Sequence, residues 1–207
     1  MTANKKIVFQ GEYGANSHTA CRNVYPDFEP IPCATFEDCF TAIESGEAEL
    51  GMIPVENSVA GRVADIHHLL PRSSLQIIGE YFLPIRFQLM AKPGTKIEDL
   101  KSVQSHVMAL GQCRNIIREL GLQAIVGADT AGSARIVAQG NDPTAAALAP
   151  EMAAEAYGLE ILRRDVEDAA HNTTRFLILS REPLRAANNG PTVITTFVFR
   201  VRNVPAA

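Results

Sequence analysis

The chain has 207 residues, a formal net charge of −4, 46% hydrophobic and 20% charged residues. This composition is typical of an ordinary globular protein that works in water, large enough for one sizeable core or two small lobes, and it gives no reason to expect a nucleic-acid partner. Four cysteines without Cys-x-x-Cys spacing, a start without a signal-like apolar segment and no apolar run near the roughly 20 residues that cross a bilayer predict a cytoplasmic protein with reduced thiols and no membrane span.

The first elements predicted along the chain are a strand and two helices. Residues 6–10 are an apolar strand, and the glycine turn of residues 11–17 then opens a helix. Free backbone N–H groups at this helix start favour an anionic ligand, although a plain capped turn explains the same residues. The next helix begins at the N-cap residue Thr35 and ends at Gly46.

A second strand, residues 50–55, ends in Glu56, Asn57 and Ser58. The carboxyl end of a strand is a common ligand position in an open α/β sheet, and a capped turn is the alternative reading. Further on, residues 81–90 are predicted to be extended.

A short strand at residues 103–105 precedes one long helix, whose apolar stripe runs from Ala109 to Leu120. Ser105 and Gln112 are seven residues apart, nearly two helical turns, so both can face the same space from strand end and helix. The alternative is that Ser105 only caps the helix and Gln112 is solvated.

The remaining pattern predicts a helix at residues 131–139, a strand at 145–149, a helix up to residue 157 and a further extended segment at 159–162. Alternating helices and short apolar strands predict an α/β fold with mainly parallel sheets. Residues 42–54 and 137–150 share a weak repeat of helix, Gly, acidic turn, strand and Pro, which favours two similar lobes. The segments near 81–90 and 176–180 are then the crossovers, with a ligand cleft between the lobes.

A dense polar run, His171 to Arg175, stands just before the apolar stretch that begins at Phe176. It contains more hydrogen-bonding groups than a turn needs, which suggests an anion site. Gly-x-Ser-x-Gly, Gly-x-Gly-x-x-Gly and phosphate-binding lysine motifs do not occur. The tandem His67 and His68 would face different directions on a helix and have no further ligand cluster, so we expect no metal and no cofactor.

Together these segments resemble the prephenate dehydratase family from Ile7 to Arg181. The resemblance rests on short motifs in a specific order: Gly11 to Gly14; Pro54 to Ser58 with Gly61; Ser105-His106 with Gln112-Cys113; Ala153-Ala154 with Tyr157 to Leu159; and Asn172-x-Thr174-Arg175-Phe176. It implies conversion of prephenate to phenylpyruvate, with loss of water and carbon dioxide, in phenylalanine biosynthesis and without a cofactor. It also implies a fold resembling type II periplasmic binding proteins. One departure is Val107-Met108, where the family often has Pro-Gln.

The resemblance also implies roles for individual residues. The catalytic Thr falls on Thr174, in a motif completed by Arg175 and Phe176. The substrate site falls on Asn57, Ser105 and Gln112, with Glu56 beside them and Thr173 next to the catalytic residue.

A chemical reading of these residues follows from the reaction. Thr174 would assist the leaving hydroxyl, by itself or as a relay from Glu56, and Arg175 or nearby amides would hold a carboxylate. The neutral side chains would orient the substrate without binding the departing carboxylate too tightly.

Two other functions remain open: the same reaction on arogenate, the amino analogue of prephenate, or a non-catalytic two-lobed module that binds a small molecule.

The expected organisation is a catalytic domain at residues 1–190, with lobe one at about 1–83 plus 176–190 and lobe two at about 84–175. Residues 191–207 resemble the beginning of the ACT regulatory domain that follows the catalytic region in this family. This part would be truncated, and inhibition by phenylalanine would be lost with the rest of the domain. The family resemblance further implies a homo-oligomer.

Overall fold

Eleven strands, seven α-helices and two short 3-10 helices, Leu70–Arg72 and Ile97–Asp99, make up the part of the chain that the computed structural model describes, residues 5–169 and 171–184. The strands are β1 (Lys6–Gln10), β2 (Glu29–Cys33), β3 (Leu50–Asn57), β4 (Gly61–Arg62), β5 (Gln76–Pro84), β6 (Gln88–Ala91), β7 (Ser102–His106), β8 (Gln123–Gly127), β9 (Ala145–Ala149), β10 (Glu160–Arg163) and β11 (Thr173–Ser180). The helices are α1 (Asn16–Val24), α2 (Phe36–Ser45), α3 (Ala64–Leu69), α4 (Val107–Gln112), α5 (Arg114–Glu119), α6 (Thr130–Gln139) and α7 (Glu151–Tyr157). The segment expected to begin a regulatory domain, residues 191–207, lies outside these ranges.

The strands form two sheets, one in each lobe. The first has the order β2-β1-β3-β11-β5 with β4 added to β3, and the second has the order β8-β7-β9-β6-β10. Each sheet has three parallel strands on one side, and one strand that arrives from a crossover, β11 or β6, runs antiparallel to both of its neighbours. The two-lobed α/β fold is therefore confirmed, and both sheets are mixed because the strand that arrives from each crossover runs antiparallel to its neighbours.

The chain passes between the lobes twice, at residues 85–87 and 164–172. The first passage lies within the segment predicted as a crossover. The second passage lies before residues 176–180, where the other crossover was predicted. Those residues belong to β11, and Leu177 and Leu179 pack in the core of lobe one. Since β11 as a whole pairs with β3 and β5, Thr173 to Arg175 also lie in the sheet of lobe one.

The single helix predicted from the apolar stripe between Ala109 and Leu120 is two helices, α4 and α5, that meet at Cys113. The backbone of Cys113, with φ −126° and ψ 33°, leaves the helical region. Asp168 from the second crossover explains the break, because its carboxylate accepts the backbone N–H groups of Arg114 and Asn115 at 2.9 and 3.1 Å. Its own N–H donates to the carbonyl of Gln112 at 2.6 Å. A carboxylate that caps a new helix start separates the two segments.

The two lobes repeat one plan. In lobe one, α2 leads through Gly46 to β3 beside β1, and in lobe two α6 leads through Gly140 to β9 beside β7. Thr35 and Asp38 form the expected capping box of α2, and Gly46 ends that helix with φ +88°. A single apolar cluster joins lobe-one residues such as Phe9 with lobe-two residues such as Leu148, so the crossovers lie over a continuous core. Within the described ranges, none of the helices has both the length and the apolar character to cross a membrane.

Candidate active site

The polar cluster begins where β3 and β11 run side by side. The register places Thr174 opposite Asn57, and the Asn57 side-chain amide nitrogen Nδ2 donates to Thr174 Oγ1 at 2.9 Å. Both side chains are half-buried. The two strand ends, distant in sequence, therefore deliver a hydroxyl and an amide to one point.

The amide of Asn57 is fixed at both ends. Its Oδ1 accepts the backbone N–H groups of Val59 and Ala60 at 3.0 and 2.7 Å. Its Nδ2 also donates to Asn172 Oδ1 at 2.7 Å and lies 3.3 Å from the Thr173 carbonyl. Because hydrogen bonds to an amide oxygen polarise the amide, they strengthen the N–H groups that Asn57 presents to Thr174.

Asn172 links this cluster to the second lobe. The side chain is only 4% exposed, and its Nδ2 donates to Gln112 Oε1 at 2.6 Å. Gln112 ends α4 and is half-buried, and its Nε2 makes no hydrogen bond to the part of the chain that the structure describes. A chain of three amides thus runs from Asn57 through Asn172 to Gln112, and its last donors remain available to a ligand.

Asn172 belongs to the motif that carries the family resemblance, but no role in the site was predicted for it. Its position in the polar run between two strands gave no indication of burial, and an Asn there is typical of a turn. The burial arises because the second crossover passes between Asn57 and Gln112, a relationship that depends on the tertiary fold.

Ser105 and Gln112 do not meet in the predicted manner. Ser105 is completely buried, and its hydroxyl donates to the Leu148 carbonyl at 2.6 Å, which joins β7 to β9. Ser105 therefore joins the two strands in the interior, while the half-buried Gln112 keeps a side-chain N–H donor without a partner among the described residues. In lobe one, just after β3, the Ser58 hydroxyl donates to the His171 carbonyl at 2.8 Å and accepts the Thr173 N–H at 2.9 Å. These bonds hold the crossover against lobe one.

Arg175 is paired within the protein. Its Nε and Nη2 lie 2.9 and 2.7 Å from Glu80 Oε2, and its guanidinium lies over the Phe82 ring with 5.9 Å to the ring centre. Adjacent residues of a strand point to opposite faces, so Arg175 faces away from Thr174. This geometry does not favour the predicted contact between Arg175 and a substrate carboxylate.

Glu56 is opposite Arg175 in the register and exposed, and it makes no hydrogen bond to Thr174. The structure therefore does not place Glu56 where it could pass a proton to Thr174.

Phe176, the last residue of the motif, is 1% exposed and packs in the apolar cluster shared by both lobes. Its ring supports the strand from within.

The glycine turn before α1 leads into a helix start without a side-chain cap, so the capped turn, one of the two explanations of these residues, is not formed. Ala15 is the N-cap and has no side-chain cap. The turn is held by the Gly14 N–H, which donates to His18 Nδ1 at 3.0 Å. Burial lowers the pKa of His18, with a smaller contribution from the nearby Arg22 charge. The neutral imidazole is the form that can accept this bond.

All four cysteines are free thiols. Burial raises the pKa of Cys21, Cys39 and Cys113, and also that of the half-buried Cys33. Since the thiolate is the nucleophile, these groups are poor candidates for covalent catalysis. Across residues 5–169 and 171–184, His, Cys, Asp and Glu side chains form no group of three or more that could hold a metal ion.

A cavity of about 280 Å³ between the lobes is distinct from the amide cluster. It is lined by Asn16 and Thr19 of α1, by crossover residues and by α7, and it includes the acidic Glu151, Glu155 and Asp165. None of Asn57, Ser105, Gln112 and Thr174 lines it. The one basic residue of its lining, Arg86, is paired with Glu167, so the three carboxylates do not suit a ligand with two carboxylates.

Fold and site together define an α/β protein of two similar lobes whose polar groups meet between them, a design suited to acting on a small molecule. The family model for prephenate dehydratase matches residues 7–184. A bifunctional N-acyl-homoserine lactone acylase/prephenate dehydratase of Komagataeibacter europaeus is 47% identical over 207 residues, which is 100% of this chain and 74% of that protein. The chain belongs to the prephenate dehydratase family, so the family resemblance is confirmed.

Other members of the family extend the comparison. Arogenate dehydratase/prephenate dehydratase 2, chloroplastic, of Arabidopsis thaliana is 40% identical over 97% of this chain, and the chain spans about half of it, 52%. The crystal structure of a prephenate dehydratase from Arthrobacter aurescens, in complex with L-Phe, has a TM-score of 0.80 and 32% identity over 87% of this chain and 63% of that one.

Proposed function

We propose that this protein converts prephenate to phenylpyruvate, with loss of water and carbon dioxide, and that Thr174 assists departure of the hydroxyl. The observation that carries the proposal is the direction of one hydrogen bond. Thr174 Oγ1 accepts from Asn57 Nδ2 and donates to no described residue. Its proton is therefore free for a ligand in the cleft.

The reaction needs a proton for the hydroxyl that leaves the ring. As that hydroxyl departs as water, the ring carboxylate leaves as carbon dioxide and its bonding electrons complete the aromatic ring. A threonine hydroxyl is a weak acid, so the negative charge that develops on its oxygen must be stabilised. The N–H of Asn57 already points at that oxygen and can stabilise the charge. In the proposed mechanism, Asn57 therefore assists Thr174 in place of Glu56.

Recognition of the substrate is assigned to neutral donors. Gln112 Nε2, which has no partner among the described residues, would supply one donor from lobe two, and the N–H groups at the uncapped start of α1 would supply further donors from lobe one. Ser105, Phe176 and Thr173 shape the site through the strand positions they fix. Neutral donors can orient a carboxylate that must leave without stabilising it more than the transition state, which would slow decarboxylation.

Two alternatives come from the relatives. Several plant relatives are named arogenate dehydratases, and the amine of arogenate would occupy the position of the keto group. The Komagataeibacter relative carries an acylase name as well, so hydrolysis of an N-acyl-homoserine lactone is a second candidate activity.

The test is to incubate the purified protein separately with prephenate, arogenate and an N-acyl-homoserine lactone, and to measure phenylpyruvate, phenylalanine and free homoserine lactone. Phenylpyruvate production that is lost in Thr174→Ala supports the proposal. If phenylalanine forms faster from arogenate than phenylpyruvate forms from prephenate, arogenate is the preferred substrate. If neither phenylpyruvate nor phenylalanine forms, the remaining candidates are the acylase activity and a non-catalytic binding module.

The proposal includes a cytoplasmic, homo-oligomeric enzyme with residues 1–190 as the catalytic domain. The four free thiols support a reducing compartment. We further propose that residues 191–207 begin an ACT regulatory domain, and the Arthrobacter relative bound to L-Phe makes phenylalanine the effector to test. Titration of the activity with phenylalanine tests this effector, and size-exclusion chromatography with light scattering would give the oligomeric state.

A further inference from the structure

Away from the crossovers, the lobes are joined by a cluster of Glu12, Arg135 and Tyr157. Glu12 lies in the turn after β1 of lobe one, whereas Arg135 is in α6 and Tyr157 follows at the end of α7, both in lobe two. Arg135 Nε and Nη2 contact the two carboxylate oxygens of Glu12 at 2.7 and 2.9 Å. Tyr157 Oη donates to the Tyr13 carbonyl at 2.8 Å and lies 3.3 Å from Glu12 Oε2.

The backbone of the same turn touches lobe two directly. Gly14 has φ +88°, and a Cβ atom at this position would lie 2.6 Å from the Cα atom of Ala153 in α7. No side chain fits between these backbones. The turn therefore rests on α7 at a fixed distance, and the three side chains hold it there.

The charges in this cluster favour its closed arrangement. The hydrogen bond from Arg135 lowers the pKa of Glu12, and burial raises the pKa of Tyr157 to about 12. At neutral pH the carboxylate is therefore ionised while the tyrosine keeps its proton as a donor. A bidentate pair of this kind fixes orientation as well as distance.

We infer that Glu12, Arg135 and Tyr157 form a clamp that holds the two lobes at the separation the substrate requires. The inference rests on the proposed function, because Thr174 and Asn57 belong to lobe one and Gln112 to lobe two. Two strand spacings, roughly 10 Å, separate β1 from β11, so the clamp acts through the position of the lobes. Its members are positioning residues.

A clamp of this kind has a defined kinetic signature. Without it the closed arrangement is less populated, and apparent affinity falls in proportion to that population. Substrate binding still closes the cleft, so turnover at saturation is retained. For Glu12→Gln and for Tyr157→Phe we expect KM to rise roughly three- to tenfold, with kcat changed less than about twofold. Binding of phenylpyruvate, measured by calorimetry, should weaken by the same factor as KM rises.

Glu119→Gln is the matched control. It removes the partner of Arg163, an ion pair of 2.7 Å that lies wholly within lobe two. The inference is overturned if the clamp variants shift KM no more than this control, or if they lower kcat with KM unchanged.

Hydrogen exchange measured without substrate separates this inference from the proposed function. Exchange at the backbone amides of residues 11–15 should be faster in Glu12→Gln and Tyr157→Phe than in the wild-type protein and in Glu119→Gln. If the wild-type protein does not turn over prephenate or arogenate, the proposed function fails, yet faster exchange still supports the clamp. Unchanged exchange overturns the clamp whatever the activity.

Discussion

Asn57 and Thr174 are 117 residues apart in sequence, yet Asn57 Nδ2 donates to Thr174 Oγ1 at 2.9 Å across two neighbouring strands. The direction of the bond makes the threonine an acceptor from the protein and leaves it a donor to the cleft. The same amide is oriented by two backbone N–H groups, so it cannot turn its oxygen toward Thr174 without losing them. The pair therefore behaves as one chemical unit.

Asn57→Asp tests that unit with little change in shape. One carboxylate oxygen can still accept the Val59 and Ala60 N–H groups, but the other cannot donate to Thr174 and would instead accept its proton. We expect both Asn57→Asp and Thr174→Ala to lower kcat by roughly 10², as measured by phenylpyruvate formation. The double variant should lose little more than either single variant, because the residues act together.

Thr41→Ala, at an exposed position of α2, is the control and should keep normal kinetics. Losses that multiply in the double variant would show that Asn57 and Thr174 act independently. Near-normal turnover in Thr174→Ala would remove it from the mechanism.

Gln112→Glu separates recognition from folding. The substituted side chain keeps an oxygen that can accept the Asn172 amide, now bonded at 2.6 Å, and it replaces the free Nε2 donor by a negative charge. A substrate with two carboxylates should bind roughly tenfold or more weakly, seen as a raised KM with little change in melting temperature. Gln123→Glu, on the exposed strand β8, controls for the added charge. An unchanged KM would place the substrate away from Gln112.

Local sequence signals were sufficient for the elements that depend on near neighbours. The capping box from Thr35 to Asp38 and the Gly46 stop lie within one helix, and the apolar run of β9 matches its strand to the residue. Contacts between distant segments were not accessible in this way. The break at Cys113 depends on Asp168, more than 50 residues later, and one apolar stripe fits either one helix or two.

In the candidate site, too, the sequence indicated individual residues but not the contacts between distant segments. Family motifs indicated Asn57, Gln112 and Thr174, which the structure connects through Asn172. The direction of each hydrogen bond and the burial of Asn172 depend on the register of β3 with β11 and on the path of the crossover. The partner of Arg175 depends likewise on the antiparallel pairing of β11 with β5, two segments about 90 residues apart, and no local pattern indicates that pairing.

Arg175→Lys distinguishes an internal ion pair from a substrate contact. Lysine cannot repeat both N–H contacts to Glu80 or lie flat over Phe82. For a partly buried pair of this kind we expect a loss of about 1 kcal/mol in the free energy of unfolding, measured by urea titration, with KM unchanged. Glu80→Gln should lose a similar amount, since it removes the same pair. A tenfold rise in KM confined to Arg175→Lys would restore the guanidinium to the substrate site.

His18 should make stability depend on pH below its usual pKa of about 6.5. Its ring stacks on Phe9 with centres 5.5 Å apart, and its Nδ1 accepts the Gly14 N–H. Because burial lowers the pKa of His18 in the folded protein, the unfolded chain takes up a proton first, near its usual pKa of about 6.5. The contribution of neutral His18 to the free energy of unfolding is therefore complete above that pH and is lost as pH falls toward the pKa of the folded state. Over this range, unfolding takes up at most one proton at His18.

His18→Asn removes the titrating group and keeps an oxygen that can accept the Gly14 N–H. The melting temperature of the wild-type protein should fall from pH 7 to pH 5 more steeply than that of His18→Asn, whatever the offset caused by loss of the ring. His68→Asn, at an exposed position in α3, should retain the wild-type slope. Equal slopes in the wild-type protein and His18→Asn would mean that His18 is protonated in both states or in neither, and that the bond from Gly14 does not depend on a neutral imidazole.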